Sequence, residues 1–130
     1  MHIQFITTGG TIDKIYFDAL SQFEVGDSQV KAMLTDALVD FSYDVTPIMK
    51  KDSLDITDED REIIRAHIEA SHHSRFIITH GTDTMPETAA ALRGIEHKTV
   101  VLTGALTPAR FRTTDAVFNI GMAVGAVQTR

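Results

Sequence analysis

The chain has no cysteine and no tryptophan, three prolines, two tyrosines, and fewer basic than acidic residues, 12 against 18. Without cysteine there is no disulfide framework and no thiolate zinc site. A net charge of −6 provides no positive field for a polyanion, and Lys50-Lys51 is the single adjacent basic pair. Nucleic acid is therefore not an expected partner. No apolar run approaches the roughly 18–20 residues of a membrane span. The start of the chain, MHIQFITT, lacks the charged and apolar regions of a signal peptide. A cytoplasmic protein without a membrane partner is the expectation. No low-complexity linker divides the 130 residues, 43% of them hydrophobic, so one domain over 1–130 is expected.

What is present reads as alternating elements. Residues 2–7 form an apolar run that ends in glycines, a first strand. Residues 13–26 read as irregular, with a turn at Gly26-Asp27. Val30, Met33, Leu34, Ala37 and Leu38 recur at helical spacing and mark one helix face. A second strand is expected over 42–49, where Pro47 suggests an edge position. Thr57-Asp58-Glu59-Asp60 resembles a capping box with acidic residues in the first turn, opening a helix that carries Ile64 and Ile68 and ends near Ser71. A third strand follows over 75–80. Pro86 then opens a helix through Ala89, Leu92 and Ile95. A fourth strand spans 98–103, and a last helix runs from near Asp115 to Arg130 with Phe118 and Met122 in the core. Gly121 and Gly125, four apart, suggest close helix packing. This alternation predicts a parallel sheet with helices on both faces, and the expected fold is a three-layer α/β domain of flavodoxin-like type with strand order 2-1-3-4.

In such a sheet, ligands bind beyond the carboxyl ends of the strands, at the switch point. The residues that follow the four predicted strands are Gly9-Gly10-Thr11, Asp52-Ser53, Gly81-Thr82-Asp83-Thr84 and Gly104-Ala105. Hydroxyls, a carboxylate and glycines gather there, with no cluster of metal ligands among them. The set suits acyl transfer. A threonine hydroxyl can act as a nucleophile once activated, glycine-flanked N–H groups can stabilise an oxyanion, and Asp83 can hold an ammonium group. His80 adjoins the motif, but a strand that reaches it can turn its ring into the core. His72-His73 suggests metal at first sight. Adjacent residues on a helix end do not face one another, however, so a solvated terminus is the reading there.

Thr8-Gly9-Gly10-Thr11-Ile12 and His80-Gly81-Thr82-Asp83-Thr84-Met85 resemble the two signatures of the bacterial-type L-asparaginase family. Asp52 to Thr57 is similar to the family's intermediate segment, and Val101 to Leu106 to its fourth-strand segment. The resemblance covers nearly the whole chain in order. It implies hydrolysis of the side-chain amide of asparagine, sometimes glutamine, to the acid and ammonia, without a cofactor. It makes Thr11 the nucleophile and Thr82 a second catalytic threonine, with Asp83 on the substrate α-amino group. Gly10 and Ser53 join the substrate site, Ser53 on the α-carboxylate, and Ala105 offers its carbonyl near the departing amide.

The resemblance has departures. The family's catalytic lysine lies on a segment that these 130 residues do not reach. Its loop tyrosine aligns with Tyr16, or with Phe23 if Phe23-Glu24-Val25-Gly26 is the anchor, and a phenylalanine cannot share a proton. Full-size members carry a second domain that completes the neighbouring subunit's site, so a natively short form or an N-terminal part of a longer chain is expected, and a homo-oligomer with it. The alternatives are a weakly catalytic amino-acid-binding module acting through Ser53 and Asp83, or an accessory domain.

Overall fold

The computed structural model describes residues 1–17 and 22–129. In chain order the elements are β1 (His2–Gly9), β2 (Lys14–Phe17), β3 (Gln22–Val25), α1 (Val30–Asp36), β4 (Ser42–Lys51), α2 (Asp58–Ala70), β5 (Arg75–Thr79), α3 (Met85–Ala91), β6 (Thr99–Thr103) and α4 (Ala116–Val127). Short 3-10 turns cover Thr11–Asp13 and Ser53–Asp55. The main sheet runs β4-β1-β5-β6, every pairing parallel. Counted among themselves these strands take the order 2-1-3-4. The numbering over all strands differs because β2 and β3 form an antiparallel hairpin where irregular chain was expected. Its strands are short and flanked by Gly26 and the Gly9-Gly10 pair, which obscured the pattern.

Period-two alternation sorts the buried side chains onto two faces. Ile3, Phe5 and Ile77 face α1 and α4 through Val30, Leu34, Ile120, Ala123 and Val127. Ile6, Phe76 and Ile78 face α2 and α3, packing with Ile64, Ile68 and Leu92. Helices thus cover both faces. Pro47 lies on β4, an edge strand that pairs only with β1.

α2 begins where the capping box places it: Thr57 Oγ1 accepts from the Asp60 N–H at 3.1 Å, and the Asp60 carboxylate accepts from the Thr57 N–H at 2.9 Å. Three helix expectations need correction. α1 stops at Asp36, and Leu38 turns left-handed (φ 55°), donating its N–H to the Thr35 carbonyl, so its side chain is exposed. α3 ends at Ala91, although Leu92 and Ile95 still reach the core. On α4 the buried stripe is Ala116, Ile120, Ala123 and Val127. Phe118 and Met122 are exposed, and a Cβ added at Gly121 or Gly125 would meet nothing within 4 Å. A largely apolar helix shows no polar face by which sequence could orient it.

Candidate active site

β1 and β5 are neighbours, and their carboxyl ends carry the two motifs. Thr8 Oγ1 donates to the Thr79 carbonyl at 2.7 Å and ties those ends together beneath the rim. Gly10 follows with φ 87° and ψ −177°, backbone that only glycine adopts freely. A Cβ there would lie 2.4 Å from Gly81 N and 2.6 Å from Gly81 Cα. The two motifs therefore touch backbone to backbone, one residue before Thr11 on one side and Thr82 on the other. The Gly10 N–H is committed to the Lys51 carbonyl at 2.9 Å, so it is not a spare donor for an oxyanion.

Gly81 also abuts Ser53: a Cβ on it would lie 2.7 Å from Ser53 Cβ. Ser53 is buried at the start of its 3-10 turn. Its Oγ accepts from the Thr84 N–H at 3.2 Å, and its carbonyl accepts from Thr84 Oγ1 at 2.7 Å. Its own hydroxyl proton is not used by these bonds. Thr82 and Asp83 are exposed, Thr11 is half-buried, and Ala105 is buried.

The rim residues fall around two adjoining clefts. Thr11, Lys14, Leu106, Thr107, Pro108 and Phe111 line one of about 340 Å³. Thr82, Met85, Gly104, Ala105, Leu106 and Asp115 are among those lining the other, of about 430 Å³. Leu106 is the wall they share, and Asp83 and Ser53 line neither. That wall is fixed by Asp115, whose carboxylate accepts from the N–H groups of Leu106 at 2.9 Å and Thr107 at 3.0 Å. Those backbone donors, first among them Leu106, hold the Asp115 carboxyl below its ordinary range.

His80 does not face the rim. It is fully buried, and desolvation holds its imidazole below the usual histidine range. Arg61 Nε donates to Thr88 Oγ1 at 3.0 Å. The Thr88 oxygen lies 2.7 Å from His80 Nε2, and His80 Nδ1 lies 2.7 Å from the Gly81 carbonyl. A carbonyl only accepts, so Nδ1 bears the proton, and Nε2 takes the Thr88 hydroxyl proton. The result is a one-way chain of bonds from α2 to the rim, with a neutral imidazole as spacer.

Lys14 was missed by sequence reading. In the 3-10 turn over Thr11–Asp13, positions three apart eclipse, which brings Lys14 to the Thr11 cleft. Its Nζ lies 3.1 Å from Asp52 Oδ1. The only sequence signal was the spacing from Thr11, which becomes legible once the turn is known. Tyr16 and Phe23, the rival tyrosine positions, are direct backbone partners across the β2–β3 hairpin. The competing alignments therefore lead to one place; both side chains lie outside the described residues.

Residues 2–130 match the family described as Asparaginase, N-terminal. L-asparaginase 1 of Escherichia coli strain K12 is 38% identical over 83 residues, 60% of this chain and 24% of that protein. Among solved structures, a probable cytoplasmic L-asparaginase from Campylobacter jejuni is similar with a TM-score of 0.77 and 31% identity, covering 97% of this chain and 41% of that one. The thermostable L-asparaginase from Thermococcus kodakarensis shares the fold with a TM-score of 0.80 at 24% identity, covering 99% of this chain and 41% of that one. The chain thus spans well under half the length of these relatives.

Proposed function

The chain belongs to the asparaginase family, through its N-terminal domain, and from that premise we propose that it hydrolyses the side-chain amide of asparagine to aspartate and ammonia. Thr11 Oγ attacks the amide carbon, and the hydroxyl proton passes by way of Thr82 to the departing nitrogen, which leaves as ammonia. Water then cleaves the threonyl ester, and its proton restores the Thr11 hydroxyl. Asp83 holds the substrate ammonium group and the Ser53 hydroxyl receives its carboxylate end, while Gly10, whose N–H is bound to the Lys51 carbonyl, shapes the turn beside them. The Ala105 carbonyl faces the leaving amide, and Tyr16 assists Thr11 from the hairpin. Lys14 supplies a cation in the Thr11 cleft, where it favours the oxygen as its proton leaves.

The observation that carries this reading is the Gly10–Gly81 backbone contact, which sets the two threonine segments side by side at the switch point. The test is ammonia release from asparagine. Activity should fall by about 10²–10⁴-fold in Thr11→Ala and in Thr82→Ala, as for residues acting as a unit. Aspartate binding in a calorimeter without turnover would instead identify an amino-acid-binding module. We also infer that the protein acts in the cytoplasm, as the Campylobacter jejuni relative's description says of that protein. Copies of it self-associate: exposed Val117, Phe118 and Met122 lie on α4 beside the free edge of β6.

A further inference from the structure

At the opposite end of the sheet, three side chains from separate segments converge. His2 opens β1, Asp44 is the third residue of β4, and His73 precedes β5. One ligand-type atom from each lies within 4.8 Å of the other two, and all three residues are half-buried. We propose that His2, Asp44 and His73 bind a divalent transition-metal ion.

The hydrogen-bond directions support this. Ser42 Oγ donates its single proton to the Met1 carbonyl at 3.2 Å. With the serine proton on Met1, the 2.9 Å contact between Ser42 Oγ and His2 Nδ1 is a donation from Nδ1. In the neutral ring, that leaves the Nε2 lone pair aimed at Asp44 Oδ2, 2.9 Å away. Two acceptors at this distance require a cation between or beside them. A proton satisfies that one contact and does nothing for the rest of the cluster. Asp44 Oδ1 is buried without a hydrogen-bond partner among the described residues. The His73 ring is stacked on His2, with centroids 4.1 Å apart and planes at 22°, so its nitrogens lie alongside.

A metal ion meets all these requirements at once. Two imidazoles and a carboxylate suit zinc, cobalt or nickel, with the remaining position left to water. Ser42 is the outer partner that fixes the His2 tautomer, as such partners do around bound metals. Metal–ligand bonds of about 2.0–2.2 Å put tetrahedral ligands roughly 3.3–3.6 Å apart, wider than the 2.9 Å between His2 Nε2 and Asp44 Oδ2 and within the 4.8 Å span of the cluster. His73 closes the remaining gap by side-chain rotation. Lys98 Nζ is held on the Ser71 and His73 carbonyls, which anchors that segment. The ion would clamp the start of β1, β4 and the turn before β5, away from the candidate active site.

The experiment is calorimetric titration of untagged, metal-stripped protein with zinc chloride, paired with thermal melts. One saturable equivalent is expected, with Tm raised by several degrees, about 5 °C or more, at zinc well above Kd. His73→Ala and Asp44→Asn should each weaken binding at least about tenfold, and Ser42→Ala, which touches no metal, by about tenfold. Cobalt in place of zinc should give visible absorption bands. The proposal is overturned if the wild-type protein shows no saturable equivalent. It is equally overturned if His73→Ala and Asp44→Asn bind as the wild type does, since the metal would then sit on other histidines.

Discussion

Asp13 places a carboxyl where burial opposes its charge. It is buried two positions past Thr11, and desolvation raises its carboxyl to about 6, against the pull of Arg110, Gln29 and Ser28. Its Oδ1 has no hydrogen-bond partner among the described residues. Because the folded carboxyl holds its proton more tightly than the unfolded one, the native state is favoured below about pH 4. That advantage is lost as pH rises through about 6. Asp13→Asn should therefore be more stable than the wild type by about 1–3 kcal/mol at pH 8, with the gap closing by pH 4, in urea melts across pH. A second residue-scale outcome concerns Gly10. Gly10→Ala places a methyl against Gly81 backbone in a conformation alanine resists. A loss of at least about 2–3 kcal/mol is expected in thermal unfolding, with misplacement of both motifs. At this scale sequence was informative: the two glycine-threonine motifs were visible as strings. Their contact was not, because no local pattern encodes a touch between residues 10 and 81.

At the scale of elements, legibility followed periodicity. The four parallel strands and α2 were legible because apolar alternation, glycine breaks and a capping box all agreed. α4 could be located but not oriented, since its outward face carries Val117, Phe118 and Met122 as apolar as its inward one. The hairpin escaped notice because its strands span only Lys14–Phe17 and Gln22–Val25. The Thr57 cap affords a direct measurement. Thr57→Ala removes the acceptor for the Asp60 N–H and should cost about 1 kcal/mol in denaturant titration, with Thr57→Ser restoring most of it.

For the whole molecule, the sheet order decides where chemistry can occur. Placing β1 between β4 and β5 brings Thr11, Ser53 and Thr82 to one rim and sends His2, Asp44 and His73 to the other. That order is the one expected of a flavodoxin-like sheet, so the rim was readable from the sequence. Its division into two clefts was not, because Leu106 is positioned by Asp115, nine residues on, through hydrogen bonds to the loop. The surface also leaves Phe118 at 70% and Met122 at 61% exposure. Sedimentation velocity should therefore show a concentration-dependent shift to species larger than a monomer. Phe118→Glu with Met122→Glu should abolish that shift while leaving the circular dichroism unchanged.

The relay from Arg61 through Thr88 to His80 and the Gly81 carbonyl constrains how this sequence can drift. Arg61 only donates, Thr88 and His80 each receive and pass on one bond, and the Gly81 carbonyl only accepts, so exchanging any single side chain for an aliphatic strands its neighbours in a dry interior, at about 1–3 kcal/mol apiece. Of these groups, exchanging all three side chains together strands the Gly81 carbonyl alone. Positions 61, 80 and 88 should thus travel as a set through descent, and a chain caught with two of them would be an unstable halfway house.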